Sequence, residues 1–154
     1  MMVREAGDFR FGRWLWLYRK LERLMDKIET QDLPMHIKEV YLFGSFIKGK
    51  SDPKDVDILL IYDSEKTAMK YETRGRRGDK RWRMWELSKS PSRLRGRLKR
   101  NSERTVDLTI CPSVEEFQRD LTRQLDLCLR IWSSDDRDWR TNLNMHLIGV
   151  KRET

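Results

Sequence analysis

The chain has 154 residues, 38% of them charged and 38% from the apolar set AVILMFWYC; an average chain is about 25% charged, so the core is small and a single domain over 1–154 is expected. Lys and Arg outnumber Asp and Glu by 33 to 25, and the resulting +8 with a pI near 9.7 favours anionic partners. No apolar run approaches the ~18–20 residues of a membrane span, Arg4, Glu5 and Asp8 are unlike a secretory leader, and the spacing of Cys111, Cys128 and the two histidines argues against a disulfide framework or a Cys/His zinc site, so a reduced, cytoplasmic setting is expected.

Residues 1–12 read as an irregular arm. From Arg13 to Thr30, Trp14, Leu17, Leu21, Leu24 and Ile28 recur at steps of three and four, with charged residues between them, which predicts an amphipathic helix over 13–30. Trp16 and Leu15 lie beside that apolar stripe, so part of the helix could also serve as an interface. Lys38–Phe43 is a short apolar strand running into a tight Gly44-Ser45 turn, and Phe46–Lys54 is a loop. Asp55–Tyr62 reads as a second strand, with Val56, Ile58 and Leu60 on one face and Asp55, Asp57, Leu59 and Ile61 on the other. Apolar side chains on both faces place it mid-sheet.

A long connection follows. Ser64 is a candidate cap for a helix over Glu65–Glu72, Gly75 and Gly78 bracket a basic tip, Lys80–Ser88 reads as helix, and Pro91 can open a further helix to about Arg100. Thr105–Cys111 is the third strand, with Asp107, Thr109 and Cys111 opposite Val106, Leu108 and Ile110. Ser113-Val-Glu-Glu116 is a capping box that starts a helix at Val114. Its end stays open: Leu125, Leu127, Leu129 and Ile131 alternate like a strand, while Phe117, Leu121, Leu125, Cys128 and Trp132 also fit one continuous helix. After a polar break at Ser133–Asp138, the tail can be a short helix or an edge strand. The expected architecture is α/β (α+β), a mixed sheet of about four to five strands flanked by helices. Its core spans 38–132, with a basic insertion at 74–100 and a C-terminal tail at 133–154.

The charge is concentrated. Arg74–Arg100 holds twelve Lys/Arg and two acids, Asp79 and Glu86, for a net of +10, so the rest of the chain sums to −2. Trp82 and Trp85 are interleaved with these cations. Such a segment can grip phosphates and stack on bases, or it can be a solvated helical face.

The chemistry-bearing pattern is Tyr41-Leu-Phe-Gly-Ser45 followed by Asp55-Val-Asp57-Ile-Leu-Leu-Ile61. Gly44 permits a sharp turn that brings amides close to a ligand, and the Ser45 hydroxyl completes a small anion cradle. Asp is a poor strand residue, yet Asp55, Asp57 and Asp107 all sit in predicted strands. Carboxylates two apart on a strand point the same way, and like charges held together are costly unless a cation lies between them. A hard, oxygen-preferring ion such as Mg²⁺ resolves that conflict. Lys48 and Lys50, in the loop, can add charge near phosphates.

With Asp107 in Thr-Val-Asp-Leu-Thr-Ile, this pattern resembles the polymerase-β-like nucleotidyltransferase superfamily, and within it the minimal nucleotidyltransferases, many of them antitoxins paired with HEPN-domain ribonucleases. The resemblance covers about Lys38 to Cys111. It implies a mixed sheet flanked by helices, Asp55 and Asp57 binding a catalytic Mg²⁺ pair, Asp107 sharing one metal and helping to activate the acceptor, and Gly44 and Ser45, with Lys48 nearby, holding the phosphates of ATP or another nucleoside triphosphate. The activity implied is transfer of a nucleoside monophosphate, AMP from ATP, to a hydroxyl, for instance on a HEPN-type toxin. Few residues follow Trp132 to form an acceptor domain, so a partner or a second copy in a homo-oligomer would complete the site. Two further readings share the fold: a nucleic-acid-binding or RNA-modifying protein that uses Arg74–Arg100, and a transferase acting on a small antibiotic.

Overall fold

A computed structural model describes residues 12–49, 52–72, 80–120 and 128–153. The helix α1 (Arg13–Thr30) spans the predicted range, and Trp14, Leu17, Leu21, Leu24 and Ile28 are all buried, joined by Met25. The strands β1 (Ile37–Phe43), β2 (Val56–Tyr62) and β3 (Val106–Cys111) follow the sequence reading to within a residue, except that Asp55 stands just before β2 rather than in it. The remaining elements are α2 (Ser64–Glu72), α3 (Lys80–Leu98), α4 (Val114–Asp120), β4 (Cys128–Ser133) and α5 (Trp139–Glu153).

The four strands form one mixed sheet in the order β3-β2-β1-β4. β1 is antiparallel to both β2 and β4, and β2 is parallel to β3. A parallel neighbour requires a crossover, and the connection carrying α2 and α3 supplies it. The expected fold class, a mixed sheet flanked by helices, is therefore the one present, with four strands.

Among the described residues, the two faces of the sheet are covered unequally. On one, Val40, Leu42, Ile58, Leu60 and Leu108 pack against α1, against Leu94 and Leu98 of α3, and against Trp139, Leu143 and Leu147 of α5. On the other, Leu59 and Ile61 meet Phe117 of the short α4, with Tyr41, Phe43, Cys111 and Cys128 around them.

Two local expectations are corrected, and one that stayed open is decided. The break between Ser88 and Pro91 is absent, because α3 runs through Pro91. Proline removes the N–H that Leu87 C=O would accept in a helix; the Ser90 hydroxyl donates to that carbonyl instead, at 2.7 Å. The cap of α2 is Asp63 rather than Ser64, its Oδ1 accepting from Lys66 N–H at 2.9 Å. The 114–132 stretch is not one helix: α4 starts at the Ser113 cap as expected, with Glu116 N–H donating to Ser113 Oγ at 3.2 Å, but residues 128–133 form β4. An irregularity opposite Val40/Tyr41 turns both Ile131 and Trp132 into the core, which breaks simple alternation. The tail is helix α5, because Trp139, Leu143 and Leu147 repeat every four residues on its buried side.

The basic segment is likewise divided. Arg76, Arg77 and the Gly75–Gly78 tip lie outside the described residues, as do the 1–11 arm and Lys50. Within α3, Arg93 pairs with Glu86, Arg97 donates to Gln31 at 3.1 Å, and Arg95 donates to Leu108 C=O of the edge strand β3. Lys99, just past the helix, donates to Val106 C=O of the same edge at 2.6 Å. Cations on an edge strand block pairing with other chains. Part of the +10 therefore belongs to packing.

Candidate active site

The register of the sheet assembles the site. Cys128, Phe43, Asp57 and Asp107 are successive partners across β4, β1, β2 and β3, and they form one row on the thinly covered face. Neighbouring strands are about 4.8 Å apart, which brings the Asp57 and Asp107 carboxyls within reach of each other. Asp55, at the mouth of β2, and Asp107 both lie near enough to Asp57 to raise its pKa. The three predicted carboxylates thus converge on Asp57.

Asp57 is held in an unusual state. Burial, then the charge of Asp55 and contact with Asp107, raises its pKa from 3.8 to about 7. Phe43, its neighbour in the row, packs on Phe117 with ring centroids 5.1 Å apart. A proton on Asp57 relieves the repulsion among the carboxyls.

Gly44 explains how the row closes. Its φ is +81°, in the left-handed region, and a Cβ there would stand 2.2 Å from Asp57 Oδ2. Glycine is needed for the turn and again for the carboxylate to lie against the backbone. Ser45 is half-buried in the same turn, and Lys48 is exposed on it, its N–H donating to Ser45 C=O at 3.2 Å. The predicted phosphate-holding residues Gly44, Ser45 and Lys48 therefore share one turn, of which Gly44 touches the carboxylate cluster.

Two helices hold this turn in place. Phe46 and Ile47 are fully buried. Trp14 of α1 stacks on Phe46 at 4.7 Å and donates from Nε1 to Phe46 C=O at 3.0 Å. The ring of His146 in α5 contacts Ile47 C=O at 2.9 Å. Arg13 reaches the far side of the loop, donating to Pro53 C=O at 3.2 Å and Lys54 C=O at 2.7 Å, directly before Asp55. These positioning residues were missed in the sequence reading. The helical stripe marked Trp14 as buried, but no local signal marked its indole as an anchor for a loop 32 residues away.

Among the described residues, no group of three or more His, Cys, Asp or Glu side chains is placed to hold a metal ion. Asp57 lies where Gly44 leaves room for its Oδ2, with Asp55 and Asp107 near enough to raise its pKa, and carboxylate oxygens are the donors that a hard divalent cation takes. A cation could take the place of the proton that Asp57 retains. The geometry offers oxygen ligands at a strand end, next to a tight turn suited to phosphate.

The sequence profile described as "Family of unknown function (DUF6932)" matches residues 8–143, and the chain belongs to that family. No curated protein matches it. A solved structure from Sulfolobus solfataricus, described as "a putative nucleotidyltransferase", is similar at 18% identity and a TM-score of 0.45, over 88% of this chain and 95% of that one. No helix among the described residues is long and apolar enough to cross a membrane.

Proposed function

We propose that this member of the DUF6932 family is a magnesium-dependent nucleotidyltransferase that moves a nucleoside monophosphate, AMP from ATP, onto a hydroxyl acceptor. The observation that carries the reading is the wedging of Asp57 against Gly44 with Asp55 and Asp107 beside it. A structural role alone gives no reason to bring Asp55, Asp57 and Asp107 together at one end of β2 and β3, beside a glycine that tolerates no side chain.

In this reading Asp55, Asp57 and Asp107 hold the metal, and the turn of Gly44, Ser45 and Lys48 holds the triphosphate. Magnesium bound there supplies charge neutralisation for the triphosphate and lowers the pKa of the acceptor hydroxyl. Asp107 is the most exposed of the three and so the one most open to an incoming acceptor. The acceptor oxygen forms a bond to the α-phosphorus, the bond to the bridging oxygen breaks, pyrophosphate leaves, and the hydroxyl proton passes to solvent. Arg13, Trp14 and His146 keep the turn and the carboxyls in register, so that positioning is set by the core before substrate binds.

The test is label transfer from α-³²P-ATP with Mg²⁺, using as acceptors a HEPN-type ribonuclease (the partner implied by the family resemblance) and a fractionated lysate. Labelled acceptor with matching pyrophosphate is expected, together with a loss of at least about 100-fold in Asp57→Asn and Asp55→Ala. Equal labelling by the wild type and both variants would overturn the reading.

A further inference from the structure

A second charged feature lies apart from the carboxylates. A cleft of about 280 Å³ opens between α1, the end of α3 and the start of β3, lined by Lys20, Arg23, Lys27, Lys99, Arg100 and Glu103 over an apolar floor. Five cations face one carboxylate. Glu103 is ion-paired with Lys20. Among the described residues no carboxylate pairs with Arg23, Lys27 or Arg100. Gathering like charges this way is unfavourable without a counter-anion.

The feature extends beyond the cleft. Arg13, Trp16, Lys20, Arg23 and Lys27 advance along α1 in steps of three and four, so they share one stripe about 21 Å long at 1.5 Å per residue. The Trp16 ring is 45% exposed, with the Lys20 ammonium 4.1 Å and the Arg13 guanidinium 4.7 Å from its centroid. A stripe of that length spans several nucleotides of one strand. It begins at Arg13, which grips the two carbonyls preceding Asp55.

We infer that this stripe and cleft bind single-stranded nucleic acid, with phosphates on Arg23, Lys27 and Arg100 and an unpaired base against the exposed edge of Trp16. The stripe is too long for a lone small anion, and the exposed edge of an aromatic ring already flanked by cations suits an unpaired base rather than a duplex. Of the basic 74–100 segment, the cleft uses Lys99 and Arg100, while α1 contributes the other three cations. Binding stands on its own; only the use of this track to deliver an acceptor end towards Asp55 rests on the transferase reading.

Fluorescence anisotropy of the full chain with a labelled 12-nucleotide uridine-rich RNA, and with DNA of matching sequence, tests the inference. Affinity should fall steeply with salt. Arg23→Glu/Lys27→Glu should weaken binding at least tenfold and flatten the salt slope by about 1.4, at roughly 0.7 per lost phosphate contact. The milder Arg23→Gln/Lys27→Gln should act in the same direction, with circular dichroism confirming that both variants are folded. Trp16→Ala should cost roughly tenfold without changing the slope. Asp57→Asn should bind as the wild type does, which separates failure of binding from failure of transfer. Unchanged affinity in Arg23→Glu/Lys27→Glu, with loss on reversing Arg76, Arg77 and Arg81, would place binding on the 74–83 tip and overturn the inference. So would uptake of pyrophosphate with no binding of either oligonucleotide at 50 mM salt, or a duplex bound as well as a single strand.

Discussion

Replacing Asp57 by Asn should make the protein more stable at pH 8, by an amount that shrinks as pH falls. The folded chain holds the Asp57 proton to about pH 7, whereas the unfolded chain releases it near 3.8. Between those values the folded state binds more protons, so wild-type stability falls as pH rises from about 4 to 7 and the whole cost is present at pH 8. At 1.36 kcal/mol per unit the shift corresponds to about 4 kcal/mol. Asp57 keeps part of its surface in water, and screening reduces the expected figure to about 1–3 kcal/mol. Asn has nearly the same shape, cannot ionise, and can donate to Asp55 and Asp107. Urea denaturation of both proteins at pH 8, 6.5, 5 and 4 measures the difference, which should decline steadily over that range. Millimolar Mg²⁺ at pH 8 should stabilise the wild type and leave Asp57→Asn unmoved. An Asn variant less stable than the wild type at pH 8, or a difference that does not change with pH, would refute the repulsion argument.

Gly44→Ala should destabilise by about 1–3 kcal/mol, from the left-handed φ and the displaced Asp57 carboxyl together; in an Asp57→Ala background only about 1 kcal/mol should remain, and an unchanged cost there would exclude the contact as its cause. Ser90→Ala should cost about 1 kcal/mol by leaving Leu87 C=O without a donor, and nothing in a Pro91→Ala background, where the helical N–H returns; a thermal-melt double-mutant cycle reads the coupling. The Cys128 thiol, pushed up to about 11 by burial, should alkylate much more slowly at pH 8.5 in the folded protein than in 8 M urea, as peptide mapping with iodoacetamide will show.

What the sequence made legible was what local pattern controls. The helix at 13–30 announced itself because five apolar residues at helical spacing must share a face, and those five are buried. The Asp row was visible because an acid in an apolar strand is a contradiction that local structure does not resolve. Asp107 was placed beside Asp57 only on the premise that their strands are neighbours, and the parallel β2–β3 pairing supplies that step. The misreadings involve competing partners. Asp63 and Ser64 can both cap a helix, and their order in the chain does not decide which does. Pro91 breaks a helix unless something replaces its missing donor, and the replacement is the residue before it. The stretch up to Trp132 fitted two periods and so stayed open rather than misread; over Cys128–Ser133 the antiparallel partner at the edge of β1 selects the strand. Long-range anchors such as Trp14 to Phe46 leave no periodic trace at all.

The unequal cover of the sheet accounts for both the small apolar fraction and the position of the site. A 154-residue chain with 38% apolar residues cannot thickly cover two faces of a four-stranded sheet. α1, α3 and α5 seal one face, while on the other Phe117 covers the apolar rows of Leu59 and Ile61. The next row towards the Gly44 end of the sheet is where Asp57 and Asp107 stand, half-buried and exposed respectively. Repulsion among carboxyls there would push a loose loop aside, so the turn must be clamped from the sealed face. Trp14 and His146 do this through backbone carbonyls, and Arg13 holds the return leg ahead of Asp55. The well-packed side of the protein thereby carries the strain of the charged side. Loosening Trp14 should therefore disturb the carboxylate geometry before it unfolds the chain.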